Sequence, residues 1–374
     1  MNLYVHFPFC RSKCSYCALY SRANVSQTDR DAYVRQLAEK LGAEGQTLRA
    51  KLKTVYFGGG SPALCDLSPL KEVLAPLVPQ PSTFNLQPAT CNLQPSTFNF
   101  QPSTFNSFEF TVELHPLDVT EAKLVELKAL GVNRISMGVQ SLDDEVLADM
   151  GRGYTVAEAA RAFALVKRHF DNAGIDLIVG YPHPRTVRGS AAEDASWRNL
   201  PDLRSWGLKH CSVYSLQNER GLRNVPDDDT VLDQLRRIAV FLREIGLERY
   251  EISNYAVPGF ECRHNLAVWR GEDYLGLGEG ACGRIGLKRT VGRKSGIEES
   301  EVTSEFDLKE RTFFRLRTRE GLDAAALKSL PSYPSLLAAL DRNARAGLLA
   351  KDGLVYRLTD RGMEVCDAIL PELI

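Results

Sequence analysis

The chain has 374 residues, of which 44% are hydrophobic and 25% charged, with a formal net charge of -1. That is ordinary for a globular protein of about two domains with a sizeable core, and it excludes a global field that recruits nucleic acid or an anionic membrane. No apolar run approaches the roughly 18 residues that would predict a membrane span, and the first residues lack the basic-then-apolar pattern of a signal peptide.

In chain order, residues 3–8 predict a short buried strand that delivers the loop Cys10-Arg-Ser-Lys-Cys14-Ser-Tyr-Cys17. A closed structural zinc site wants four ligands. The other cysteines are scattered, which argues against a disulfide framework and for a reducing cytoplasm. Three thiolates on one short loop suit a cubane iron–sulfur cluster whose fourth iron stays open. Arg11, Ser12, Lys13 and Ser15 make the loop too polar for a core, and Tyr16 is placed to cover the cluster. Tyr33, Val34, Leu37, Ala38 and Leu41 predict a helix over 29–45. A strand over 53–57 runs into Gly58-Gly-Gly-Ser-Pro62, and a helix over about 67–78 follows.

Residues 80–107 are four tandem heptads, QPSTFNL, QPATCNL, QPSTFNF and QPSTFNS. A proline in every copy and the absence of helical or strand periodicity predict a looped-out low-complexity insertion. The competing reading is a docking segment on Phe84, Phe98 and Phe105. Regular alternation then resumes, with strands over 109–113, 134–139, 173–179 and 209–216. Helices are expected over 120–130 (Thr120 cap, Gly131 stop), 143–149, 155–170, 192–205 and 228–245. Repeated β-α units predict an α/β fold, a full or partial (β/α) barrel over residues 1–245, with its ligands at the strand C-termini. The cysteine loop, the glycine loop, Glu113, Gln140 and Asp176 all fall there. Residues 246–304 form an extension of short strands (248–255, 264–269, 274–280, 283–291). Residues 305–374 read as a small α+β, winged-helix-like domain with helices over 306–316, 334–347 and 359–369 and a hairpin at 353–358. That last piece has 11 basic and 11 acidic residues, so a lid or docking role is expected there and a nucleic-acid partner is not.

The cysteine spacing together with Gly58-Gly-Gly-Ser-Pro62 resembles the radical S-adenosylmethionine (SAM) superfamily. The resemblance implies a [4Fe–4S] cluster on Cys10, Cys14 and Cys17, with SAM on the open iron and Gly58, Gly59, Gly60 and Ser61 along its methionyl end. Glycine lets a ligand approach the backbone closely. Ile135-Ser-Met-Gly-Val-Gln140-Ser, Asp176-Leu-Ile-Val-Gly180 and Tyr214-Ser-Leu-Gln-Asn-Glu219 are similar to the subfamily of oxygen-independent coproporphyrinogen III dehydrogenases and HemW-type heme chaperones. That similarity implies Tyr4, Tyr16, Glu113, Gln140, Arg152 and Asp176 around SAM, with Gln140 and Asp176 on the ribose and Arg152 on the carboxylate.

Two features favour the chaperone branch. Leu19 stands where the dehydrogenases carry a fourth cysteine, and 250–256 and 263–276 resemble the chaperone segment with its H-N-x-x-Y-W motif. The chain departs from the pattern at Val268, where the motif has Tyr, and at Cys282, where a His commonly follows Gly-x-Gly-Ala. It departs again at Tyr154, where a His often follows Arg-x, and at His183-Pro184-Arg185. The implied function is a heme chaperone that passes heme to an acceptor protein, with His264 and Cys282 as candidate heme ligands. The alternative is a radical oxidoreductase acting on a porphyrinogen and fed by a flavodoxin- or ferredoxin-type donor. Cys65, Cys211, Cys262 and Cys366 read as buried thiols, and His6 as a packing or hydrogen-bonding neighbour of the loop.

Overall fold

Six strands alternate apolar and polar residues, and this alternation builds the sheet. They are Asn2–Phe7, Thr54–Gly59, Glu109–Leu114, Arg134–Gln140, Ala173–Val179 and His210–Ser215, and they pair in parallel in chain order. Leu3, Val5, Phe7, Val55, Phe57, Phe110, Val112, Ile135 and Met137 are all essentially fully buried. They join one core with Val34, Leu37 and Leu41 of helix Gln27–Arg49 and with Phe163 and Val166 of helix Val156–His169. Each such burial stabilises the fold by about 1.5–3 kcal/mol. The other face carries Asn2, Tyr4 and His6, then Thr54 and Tyr56, Glu109, Thr111 and Glu113, Arg134 and Ser136, Asp176, His210 and Ser212. Parallel barrels usually fill their interior with branched apolar side chains; a polar interior suits one that houses a polar ligand.

The structure is a computed structural model and describes residues 1–49, 52–78, 108–185, 199–370 and 373. The tandem heptads at 80–107 lie outside the described residues, as does the first half of the helix expected over 192–205. The described end of that segment, Leu200–Ser205, is a short 3-10 helix. Thr120 caps its helix by accepting from Lys123 N at 3.2 Å, and Thr155 forms a reciprocal capping box with Glu158.

The sheet stays open, so the barrel is partial. Tyr274–Leu277 adds in parallel to the first strand, and Cys282–Ile285, Lys288–Arg293 and Gly296–Glu301 continue antiparallel from it. Asn254–Ala256 and then Glu248–Arg249 extend the other edge, giving a twelve-stranded order among the described residues. Residues 246–304 therefore contribute to both edges of the barrel sheet. Three local expectations are corrected. The strand expected over 264–269 is the helix Arg263–Trp269. Its first amides donate to the buried Glu109 carboxylate, from Arg263 N at 2.9 Å and His264 N at 3.0 Å, a tertiary partner that no local pattern contains. The strand expected over 283–291 turns at Gly286 into two, and the helix expected over 359–369 breaks at Val365 into Asp360–Glu364 and Cys366–Ile369.

Residues 304–373 surround a second core that includes Phe313, Leu316, Leu340 and Tyr356. There helices Ser304–Phe314 and Tyr333–Arg345 accompany a small sheet of Leu322–Asp323, Val355–Leu358 and Leu349–Asp352. This unit is stitched to the barrel edge by Ile252 N to Arg317 O (3.1 Å) and Arg319 N to Tyr250 O (3.0 Å). A bidentate Arg236–Glu364 pair at 2.8 Å adds to the stitching. Among the described residues no helix is long and apolar enough to cross a membrane.

Candidate functional site

The cysteine loop leaves the first barrel strand and returns through a two-stranded pairing of Phe9–Cys10 with Arg22–Ala23. Polar contacts from four regions hold it across the barrel mouth. Ser15 N donates to Met150 O (3.2 Å), Ser15 Oγ and Tyr181 Oη share a hydrogen bond (2.8 Å), Lys13 Nζ donates to Leu19 O (2.7 Å), and Arg220 donates to Cys17 O (3.2 Å). Cys10, Cys14 and Cys17 are all half-buried, free thiols lining one cavity. Burial pushes the Cys10 thiol up, opposed by a hydrogen bond with Ser21 and reinforced by Cys17 and Cys14. Among the described residues no His, Cys, Asp or Glu side chains converge as ligands of a single ion. Three thiols facing one space without meeting at a point fit a cluster in which each thiolate takes a different iron.

The cavity measures about 960 Å³, at the upper end of ligand pockets. It is bounded by the cysteine loop, Gly59, Gly60, Ser61, Glu113, Gln140, Arg152 and Asp176. The glycine loop lies directly against the cysteine strand. Gly60 N donates to Phe7 O (2.7 Å) and Ser61 N to Phe9 O (2.7 Å), and a Cβ on Gly60 would collide with the Phe9 carbonyl. Glu113 accepts from Tyr56 Oη (2.7 Å) and Gly59 N (3.0 Å). Burial first, then the Asp176 charge, raises its carboxyl to about 7, while Tyr56, Gly59 and Arg134 pull it down. Asp176 accepts from Ser136 Oγ (3.0 and 3.2 Å), and burial raises its pKa too. Gln140 ends its strand beyond a register shift, with φ at 74°. Few residues other than glycine adopt that region, and here it points the chain into the cavity wall.

Arg152, expected on the SAM carboxylate, lines the cavity and also has partners within the chain. Its guanidinium donates to Gly138 O (2.7 Å), Tyr154 Oη (2.9 Å), Cys14 Sγ (3.3 Å) and Tyr16 Oη (3.4 Å). It thus braces the middle thiol of the loop, with Tyr16 beside it and Tyr181 packed edge-on against Tyr16. Tyr154, standing where a His was the familial expectation, locks Arg152 in place by also donating to the Gly138 and Val139 carbonyls. Tyr4 and Gly58 do not line the cavity. Tyr4 hydrogen-bonds His6 Nδ1 at 2.9 Å, and Gly58 backs onto Glu113.

Neither heme candidate lines the cavity. His264 is buried on the barrel floor, with Nδ1 hydrogen-bonded to Thr54 Oγ1 at 2.8 Å and its ring near Tyr4 and Tyr56; burial and then Arg134 hold its pKa at about 3. Cys282 is exposed at the start of strand Cys282–Ile285. Three other residues of the same motif segment, Asn265, Val268 and Trp269, do line the cavity. So do Tyr214, Asn254 and Arg317, which the sequence reading did not select. Trp269 and its helical neighbours had a signal in the H-N-x-x-Y-W match. Arg317 had none, since its place over the Trp269 ring (4.6 Å) depends on how the C-terminal unit docks.

Comparison with known proteins agrees with this layout. Residues 4–185 match the model of the radical SAM superfamily. The chain is similar to the heme chaperone HemW of Escherichia coli K12, at 33% identity over 76% of this chain and 70% of that one. It is similar to HemW of Bacillus subtilis 168 at 29% identity over the whole of both chains. Among solved structures, coproporphyrinogen III oxidase HemN from Escherichia coli, a radical SAM enzyme, superposes with a TM-score of 0.77. It does so at 20% identity, over 100% of this chain and 89% of that one, a likeness of fold alone. With the cysteine loop at the mouth of a partial barrel, the glycine loop against it and relatives of this identity and coverage, the chain belongs to the HemW family within the radical SAM superfamily.

Proposed function

We propose that the protein is a heme chaperone that carries a [4Fe–4S] cluster on Cys10, Cys14 and Cys17 together with SAM, and delivers heme to an acceptor protein. When bound, the cluster supplies an iron with an exchangeable position for SAM and a store for one electron. Around it Glu113 would take the cationic amino group of SAM, Gly59, Gly60 and Ser61 would border its methionyl end, and Gln140 and Asp176 would serve the ribose. Arg152 and Tyr16 orient the Cys14 thiolate, and Tyr4 acts through His6. A reducing cytoplasm and, where the SAM site works reductively, a flavodoxin- or ferredoxin-type donor complete the reading. The porphyrinogen oxidoreductase alternative rests on fold likeness only.

The observation that carries the heme reading is that Ile252, Val268, Trp269 and Arg317 line the same cavity as the cysteine loop, with the Arg317 guanidinium 4.6 Å from the Trp269 ring centre. Flat apolar surface beside a guanidinium suits a planar ring that bears carboxylates. Heme titrated anaerobically into the full chain with its cluster reconstituted should saturate at one per chain, and Trp269→Ala should weaken binding at least about tenfold. No saturable change in the heme spectrum would sink this function. His264→Ala and Cys282→Ser in the same titration assign the iron ligand.

SAM binding is expected to depend on pH through Glu113. Its folded pKa, about 7, lies above its ordinary value of 4.5. In the ligand-free protein the stabilisation linked to its proton is therefore present below about 4.5 and lost as pH rises through about 7. A cationic ligand prefers the carboxylate, so SAM affinity should rise about tenfold between roughly pH 6 and pH 8. Equilibrium dialysis checks this, and Glu113→Gln should flatten the profile.

A further inference from the structure

One carboxylate from the far end of the chain holds the returning arm of the cysteine loop. Tyr20 Oη donates to Glu279 Oε2 at 2.7 Å, and Arg22 Nη2 stands 3.3 Å from the same carboxylate. The Glu279 backbone joins in, its N donating to Tyr33 Oη at 2.9 Å. Tyr33 Oη donates to His6 O at 2.8 Å, and His6 Nε2 meets Tyr20 O at 2.9 Å. Glu279, Tyr20, His6 and Tyr33 thus form a closed hydrogen-bonded circuit. Because Tyr20 O can only accept, His6 carries its proton on Nε2, which leaves Nδ1 to accept from Tyr4 Oη at 2.9 Å. The turn that presents Glu279 is pressed onto the circuit. Gly278 has φ at 102°, and a Cβ there would lie 2.5 Å from Tyr33 Oη and 2.6 Å from His6 O.

Glu279 occupies the unspecified position of the Gly-x-Gly-Ala segment, just before the strand that begins at Cys282. The arm it grips, Tyr20 to Arg22, begins three residues after Cys17 and is also tied by the two-residue pairing of Phe9–Cys10 with Arg22–Ala23 and by Lys13 Nζ donating to Ser21 Oγ at 2.6 Å. We infer that Glu279 is a positioning residue for the cysteine loop: by fixing Tyr20 and Arg22 on the barrel mouth it keeps Cys17 in register with Cys10 and Cys14. The inference rests on the reading that these thiols hold a cluster.

The test uses the full chain, reconstituted anaerobically, as wild type, Glu279→Ala, Glu279→Gln and Tyr20→Phe. The measurements are the rate of iron loss to a chelator, the electron paramagnetic resonance spectrum of the reduced cluster, and thermal melting. Glu279→Ala should lose iron roughly tenfold faster, the scale of one charge-assisted hydrogen bond, with an altered spectrum and a near-native melt. Glu279→Gln, which still accepts from Tyr20 and no longer pairs with Arg22, should fall between, and Tyr20→Phe combined with Glu279→Ala should be no faster than Glu279→Ala. Should Glu279→Ala fail to fold, Glu279→Gln and the exposed Tyr20→Phe carry the comparison. Wild-type iron loss and spectrum in the folded variants overturn the inference. A wild-type protein that takes up no cluster overturns the cluster reading beneath it.

Discussion

A Cys14→Ser protein is expected to purify with less than about a tenth of the iron and sulfide of wild type and without the broad visible absorbance of a cluster. In the proposed site each thiolate takes a different iron, so losing one leaves a two-point attachment. A serine hydroxyl titrates too high and is too hard a ligand to replace it. Cys14 is also the thiol with a built support, Arg152 Nη1 at 3.3 Å and an amide from Cys17 to its carbonyl at 3.3 Å. Loss of an outer partner alone commonly costs about 10–100-fold in metal affinity, and loss of the ligand itself costs more. Cys14 is not part of the apolar core, so the barrel should stay folded and the same sample can be titrated with heme. Heme binding that persists without the cluster would separate the two cofactor functions. Unchanged iron content would remove the cysteine loop from the cluster site.

Glu109→Ala is expected to lower stability by about 3–5 kcal/mol, the usual cost of stripping one partner from a buried charge network. Glu109 is buried at the start of the third strand and accepts from Arg263 N, His264 N and, at 3.5 Å, Cys262 Sγ. Close by, Arg134 is 1% exposed. Burial opposes its charge, and its neighbours, Cys262 and then Glu109, more than compensate and raise its pKa. Without Glu109, the first amides of helix Arg263–Trp269 lose their acceptor and Arg134 loses a nearby carboxylate. Urea unfolding reads the loss as a lower midpoint, and Glu109→Gln, which keeps one acceptor oxygen, should lose less. The variant should also bind heme more weakly, because that helix brings Asn265, Val268 and Trp269 to the cavity. An unchanged midpoint would show that the floor network is not what seats the helix.

The barrel was legible because its strands advertise themselves twice. Leu3, Val5 and Phe7 alternate with Asn2, Tyr4 and His6, and the same period returns in 109–113 and 134–140 with amphipathic helices between. The loops were legible because Cys10, Cys14, Cys17 and Gly58 to Ser61 are local in sequence, and their chemistry depends on spacing that a short segment sets by itself. The helix Arg263–Trp269 was not legible, since a carboxylate 154 residues away holds its N-terminus. The places of His264 and Arg152 were hidden for the same reason. The sequence names a histidine in a motif and an arginine beside a loop, whereas burial against Thr54 and donation to Cys14 Sγ arise from distant chain segments packing together.

By itself the sequence determined the cysteine loop, the β-α order and the polar lining of the strands, because periodicity, spacing and residue chemistry are properties of neighbours along the chain. Only the tertiary structure decided that residues 246–304 complete both sheet edges, that Trp269 and Arg317 share one wall of the cavity, and that Glu279 closes a circuit with Tyr20, His6 and Tyr33. Those contacts join residues far apart in the chain, Tyr20 and Glu279 by 259 positions, and their energy exists only once the barrel core has brought the segments together.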